Sequence, residues 1–301
     1  MFFIILKTVR IIRYCILGTF LLTANISIAQ DVNNSALPKG NIFNFFSWDE
    51  QRTPMYSAHR GGAQERFPEN CLATLKKSSA MGASILEVDV SMTKDSILVL
   101  LHDKTLDRTT TGKGPLFERT FKEISSLKLK DNSGNVTEYS IPVLDSVLVW
   151  AKGRAILSLD VKRNVPFAMV IEKVKEYAVE NNVVLIVYNT DDLKTVYRLA
   201  PNIMISATIR NLKELEMVKK TGVPFKNVVA FTGTIASDAS LYNKIHEQGS
   251  FCIMGTMGNI DNKAKAKGMI VYHKLFDKGV DIIAGDLPEL TLDALQNYIK
   301  K

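Results

Sequence analysis

From Tyr56 onward the chain repeats one pattern eight times: a short run of β-branched and aliphatic residues, then an amphipathic stretch of helical period. Such alternation builds a parallel sheet, because a parallel neighbour is reached only through a long crossover. The predicted strands are 56–59, 85–90, 155–161, 183–188, 203–207, 228–232, 250–254 and 282–285. The predicted helices are 70–81, 144–152, 167–181, 192–199, 212–220, 240–248, 265–278 and 288–300. Gly82, Gly153, Gly222, Gly249 and Gly279 stand where a helix C-terminus favours glycine. Eight units in about 250 residues match an α/β fold of the (β/α)8 TIM-barrel type, and right-handed crossovers let them close. A doubly wound open sheet is the alternative. It would call for a glycine-rich dinucleotide turn, and His59-Arg60-Gly61-Gly62 does not follow that pattern.

One interval breaks the rhythm, between the second strand and the helix that follows the insertion. Residues 97–101 read as a short strand folding back on the second across Lys94-Asp95-Ser96. Residues 109–142, rich in Thr, Gly and Lys, read as an inserted loop with a short helix at 121–127, the whole insertion covering 103–142. Excursions of this length inside a domain usually serve binding.

The N-terminus is a separate matter. Lys7, Arg10 and Arg13 precede an apolar run over 14–24, and Ser27-Ile28-Ala29 offers small residues where a signal peptidase reads. Residues 1–29 therefore read as a signal peptide, and the protein as exported, periplasmic or secreted; an uncleaved N-terminal membrane anchor is the alternative. Cys15 is not a lipoprotein site, since Arg13 and Tyr14 stand where small residues are required. Residues 30–53 read as a linker followed by a segment packing on the outside of a barrel domain at 54–301. The aromatic cluster of Phe43, Phe45, Phe46 and Trp48 leaves peripheral membrane contact open, and the oligomeric state is open too. Loss of the leader lowers the formal charge from +7 to about +4, too mild a balance to point to nucleic acid. Cys71 and Cys252 would remain, and both read as buried free thiols.

In a barrel of this kind functional side chains sit at the carboxyl ends of the strands and in the loops that follow. His59 ends the first predicted strand, Glu87 and Asp89 lie within the second, His102 and Asp103 end the fold-back strand, and Asp160 and Lys162 close the third. Glu87 and Asp89 are two apart, so both carboxylates face the barrel interior. Carboxylates placed there must be paired or hold a cation. With Asp160 they form an all-oxygen cluster suited to one hard divalent cation, Ca2+ or Mg2+, and unsuited to zinc. Salt bridges to Arg60, Lys162 or Arg163 are the structural alternative. His59 and His102 on the same rim can serve as general base and general acid, whereas His246 and His273 fall within predicted helices as surface or packing residues. Arg60 and Lys162 add positive charge of the kind phosphate recognition needs, with charge balance against Glu69, Glu87 or Asp160 as the alternative. Thr111-Gly112-Lys113-Gly114 lacks the upstream glycine and the helix of a nucleotide-binding loop.

These motifs together resemble the glycerophosphodiester phosphodiesterase family. The match runs over His59-Arg60-Gly61, Pro68-Glu69-Asn70, Glu87-Val88-Asp89-Val90, His102-Asp103, Leu106-Asp107-Arg108-Thr109-Thr110 and Gly112-Lys113-Gly114, then Leu159-Asp160-Val161-Lys162 and Gly285-Asp286-Leu287-Pro288. The resemblance implies hydrolysis of a small-molecule glycerol phosphodiester to glycerol phosphate and an alcohol. It implies His59 and His102 as the acid/base pair, and Glu87, Asp89 and Asp160 as metal ligands. Arg60, Glu69 and Lys162 would bind phosphate or order the site. The chain departs from the family at Cys71, where Thr is usual, and at Asp160, where Glu is usual. Gly255 stands where a Trp usually precedes Thr, and Tyr188-Asn189 replaces the usual Ser-Phe. A relative acting on glycerophosphoinositol or lysophospholipid, and a binding protein without catalysis, remain open alternatives.

Overall fold

Alternating aliphatic residues make strands whose two faces are buried separately, and that pattern sets the architecture. The computed structural model describes residues 40–300, so the expected leader and most of the linker lie outside the described residues. The strands are β1 Met55–Ala58, β2 Ile85–Met92, β3 Leu98–Leu100, β4 Lys128–Lys130, β5 Val136–Ser140, β6 Ile156–Val161, β7 Val183–Val187, β8 Met204–Thr208, β9 Val228–Phe231, β10 Cys252–Gly255 and β11 Ile282–Gly285. β1, β2 and β6 to β11 pair in parallel, and β1 pairs with both β11 and β2, which closes the sheet into an eight-stranded (β/α)8 barrel. β3 folds back antiparallel on the end of β2, as its turn signal predicts.

Each strand divides its residues between two cores. On β2, Leu86, Val88 and Val90 pack outward against the helices, while Ile85 points into the barrel. Ile156, Val184, Met204, Val229, Ile253 and Ile282 join Ile85 in an apolar lower layer. Two residues further up, β1, β2, β6 and β8 contribute Ser57, Glu87, Ser158 and Ser206, while β7, β9 and β11 stay apolar with Ile186, Phe231 and Ala284; two further again stand His59, Asp89, Asp160 and Tyr188. The barrel is thus filled with hydrocarbon below and charged above.

Four expectations are corrected. The aromatic segment does not pack on the outside: beside a short helix Ile42–Phe45, Ile42 and Phe46 are fully buried in the interior cluster. They cover the lower apolar layer, which would otherwise meet water. Trp48 then stacks on His246 at 4.5 Å, and Arg52 pairs with Asp281, which also bonds the His246 ring at 2.8 Å. His246 is accordingly a packing residue. The expected helix at 265–278 is two helices, Asn259–Lys267 and Ile270–Phe276, because Gly268 adopts φ 77° between them. The helix expected to reach 181 ends at Glu176, followed by Ala178 with φ 52° and a tighter turn Glu180–Asn182. The insertion is more than a loop, since β4 and β5 form a two-stranded sheet over a small core of Val99, Leu101, Leu106, Leu116, Ile124, Leu129 and Ile141. Cys71 and Cys252 are buried free thiols. No described helix is long and apolar enough to cross a membrane.

Candidate active site

The register between β2 and β6 sets Asp89 beside Asp160 and Glu87 beside Ser158. Carboxylate oxygens of Glu87, Asp89 and Asp160 consequently lie within 4.8 Å of one another, on residues no more than 9% exposed. Each of the three carboxylates has a partner on at least one oxygen. Lys162 Nζ bridges Asp89 Oδ1 and Asp160 Oδ2, at 2.6 Å from each. Asn70 donates to Asp89 Oδ2 at 2.6 Å and accepts from the Asp89 amide at 2.9 Å, while Tyr188 donates its hydroxyl to Asp160 Oδ1 at 2.9 Å. The Arg60 amide donates to Glu87 Oε2 at 2.7 Å. Burial and the adjacent Asp89 charge push the Glu87 carboxyl up to about 8. Burial also pulls Asp89 upward, but Lys162 and Asn70 outweigh it and hold Asp89 below the usual carboxylate range.

The loop after β1 explains how a backbone amide reaches Glu87. Residues His59–Gly61 make a single tight turn, with Arg60 at φ 50° and Gly61 and Gly62 also left-handed. A Cβ at Gly61 would lie 2.7 Å from Leu75, and one at Gly62 would lie 2.6 Å from the Ser78 hydroxyl. Only glycine lets the turn press against the helix Leu72–Met81, where Ser78 donates to the Gly61 carbonyl at 2.6 Å.

Both candidate histidines engage a carboxylate through Nδ1. His59 Nδ1 lies 2.7 Å from Asp286, and His102 Nδ1 lies 2.8 Å from Asp103. Nε2 is left for a ligand in each ring. Burial works against a charged His59, yet the Asp286 hydrogen bond and the Glu87 charge outweigh it and raise its pKa. Asp103 is held far below the usual carboxylate range by Arg108, which also forks onto both oxygens of Glu69 at 2.8 Å. Arg60 reaches Glu69 at 3.1 Å, so one buried acid gathers two arginines.

Two spaces that share His59 and Met257 in their walls open on this rim. An inner pocket of 230 Å3 contains His59, Glu87, Asp89, His102 and Asp160, together with Ser57, Ser158, Ser206 and Phe231. An outer groove of 1150 Å3 carries Arg60 and Glu69 along its wall. The eight residues singled out from sequence therefore share one rim without sharing one pocket.

Residues 59–290 match the glycerophosphoryl diester phosphodiesterase family. The chain belongs to this family. A solved glycerophosphoryl diester phosphodiesterase from Parabacteroides distasonis is 30% identical and superposes with a TM-score of 0.79, over 85% of this chain and 90% of that one. Over 155 residues the chain is 36% identical to the uncharacterized protein YqiK of Bacillus subtilis, matching 48% of this chain and 63% of the relative. It is 34% identical over 155 residues to a glycerophosphodiester phosphodiesterase of Caldanaerobacter subterraneus, matching 49% of this chain and 63% of the relative. The chain thus spans less than two thirds of the length of these two curated relatives.

Several residues that support the site carry no role in the sequence reading, although most lie within the quoted family motifs. Asn70, Asp103, Arg108 and Asp286 orient Asp89, His102, Glu69 and His59 respectively. Tyr188 stands in the sequence only as a departure from the family, and its hydroxyl on Asp160 is a contact no motif announces. Asn189, the other half of that departure, is a helix cap, accepting from the amides of Asp191 and Asp192.

A stability profile tests the electrostatics. In EDTA, the raised folded-state pKa of Glu87 means that the native protein binds more protons than the unfolded chain between pH 4.5 and about 8. Stability from this group is full below pH 4.5 and is lost as the pH rises through the folded value, by a few kcal/mol. Glu87→Gln should flatten that slope. Urea midpoints at pH 5 and pH 8 measure it, and an unchanged slope in the variant would remove Glu87 as the cause.

Proposed function

We propose that this chain is an exported, divalent-metal-dependent hydrolase of glycerophosphodiesters, releasing glycerol phosphate and an alcohol. The observation that carries the reading is the meeting of three buried carboxylates with two Nδ1-anchored histidines in one 230 Å3 pocket. A family membership built on phosphodiester cleavage supports the same substrate class.

The donor set fits a hard cation. Glu87, Asp89 and Asp160 offer only oxygen, and Glu87 is forced toward its neutral form unless further positive charge arrives beside Lys162. A bound Ca2+ or Mg2+ would supply charge neutralisation for the phosphate. The rest falls to the chain's own residues. One histidine Nε2 takes the proton of the attacking oxygen as that oxygen bonds to phosphorus. The other gives a proton to the alcohol oxygen as its bond to phosphorus breaks. Asp286 and Asp103 fix the rings and stabilise the charged imidazole, as an orienting carboxylate does in other acid/base pairs. Arg60 is the group best placed to bind phosphate, with Glu69 ordering it, while Lys162 serves as internal counter-ion to Asp89 and Asp160.

His59→Ala and His102→Ala should each lower kcat by about 100-fold or more on a glycerophosphodiester such as glycerophosphoethanolamine; wild-type rates in both would reject the proton-transfer roles. Treatment with EDTA should abolish turnover, and added Ca2+ or Mg2+ should restore it, so chelator-insensitive activity would remove the metal. For export, mass spectrometry of the protein recovered outside the cytoplasm should give an N-terminus near Gln30 or Asp31, and a retained Met1 would favour an anchored form.

A further inference from the structure

We propose that Asp261 is a positioning residue for the acid/base pair: together with Tyr56 it clamps the peptide unit between Gly285 and Asp286, and so aims the Asp286 carboxylate at His59. The proposal rests on the phosphodiesterase reading, in which His59 moves a proton, and adds to it a residue that does not meet the substrate.

Asp286 needs such a hold. Its side chain is half exposed, and the bond to His59 Nδ1 is the one side-chain hydrogen bond it makes among the described residues. An aspartate in that setting has several staggered rotamers open to it, so the ring it carries is only as fixed as the backbone behind it. That backbone is held at both polar atoms of one peptide. The Gly285 carbonyl accepts from the Tyr56 hydroxyl at 2.8 Å, and the Asp286 amide donates to Asp261 Oδ2 at 2.8 Å. A planar peptide gripped at its oxygen and at its nitrogen cannot turn about its own axis, and the direction of the Asp286 side chain is set with it.

The clamp is built from distant pieces. Tyr56 comes from β1, Asp261 from the helix Asn259–Lys267, and Asp286 from the turn after β11. Tyr272 donates its hydroxyl to Asp261 Oδ1 at 2.8 Å, which fixes the carboxylate from its other side. On an unbroken helix residues 261 and 272 would stand roughly 16 Å apart along the axis. The break at Gly268 folds Tyr272 back over Asp261 instead. Gly285 completes the approach, because a Cβ there would collide with Thr256 Oγ1 and lie 3.1 Å from Asp261 Oδ2.

Burial separates this role from both packing and substrate contact. Tyr56, Asp261 and Tyr272 are no more than 3% exposed, and Asp261 lines neither the inner pocket nor the outer groove. Its two side-chain partners are neutral donors, so the carboxylate is buried without a cation to offset the loss of water. An apolar residue would fill the same space at less cost. What an apolar residue would not do is hold the Asp286 amide.

The test measures kcat and KM for glycerophosphoethanolamine on the full chain with divalent metal, below the unfolding temperature of each variant. Asp261→Ala should lower kcat about tenfold with KM kept within about twofold, as a small misplacement of the reacting groups does. Asp261→Asn should recover most of that loss, since its carbonyl oxygen still accepts from the Asp286 amide while the Tyr272 hydroxyl turns to accept from its NH2 group. In an Asp286→Ala background, Asp261→Ala should cost less than about twofold more, because no carboxylate is left to aim. If Asp261→Ala does not fold, Tyr56→Phe decides: it removes a single oxygen, and should lower kcat about threefold with the same dependence on Asp286. Wild-type kcat in the folded variant, or the same fold loss with and without Asp286, would overturn the positioning role while leaving the phosphodiesterase reading intact. Absence of hydrolysis by the wild type would overturn that reading, and the role with it.

Discussion

Three carboxylates held against one another inside a barrel are the constraint around which the upper half of this molecule is arranged. In a medium of low polarity, like charges at such separations repel strongly, and each acid must find compensation or give up its charge. Asp89 and Asp160 find it in one ammonium, that of Lys162, which stands 2.6 Å from both. Glu87 has only a backbone amide, and its carboxyl is driven up accordingly. Beneath the acids lies a packed hydrocarbon plug, and Arg60 Nε adds a more distant positive charge 3.8 Å from Asp89.

Around the acids runs a second ring of groups whose work is orientation. Asp286 and Asp103 each take one histidine by Nδ1, and Glu69 takes Arg108 and Arg60 together. Arg108 also grips Asp103, so a single chain of charge-assisted bonds runs from His102 through the insertion to the loop after β1. The insertion is thereby part of the site's frame, and its small core explains why: a bare loop could not hold an arginine fork in register.

What the sequence made legible follows from which interactions are local. Alternation within β2 puts Glu87 and Asp89 on one face, and periodicity over short windows reveals all eight barrel strands. Contacts between distant residues leave no such trace. His59 meets Asp286 across 227 positions and Tyr188 meets Asp160 across 28, and neither pairing follows from a spacing rule. Phe46 is likewise indistinguishable in sequence from a surface aromatic, because what buries it is the open lower end of a barrel assembled from residues that all come later. Gly268 could have warned of the broken helix, and its left-handed backbone is the physical reason that it should have.

The departures from the family pattern divide along the same line between charge and shape. Asp160 is one methylene shorter than the usual glutamate, and in this chain Lys162 and Tyr188 both reach its oxygens, so the shortened acid remains tied to the cluster. Cys71 lacks a capping hydroxyl, yet the start of its helix is held by Thr74, which donates to the Pro68 carbonyl at 2.6 Å. These two changes are absorbed by neighbours and leave the three acids on one rim. Gly255 is different, because Met257 lies where a side chain would project, with the Phe231 ring beside it. The altered position falls on β10, away from β2 and β6, beside Met257, which lines both spaces. The changes at Asp160 and Cys71 thus leave the acid cluster held by its neighbours, whereas the change at Gly255 gives Met257 its place.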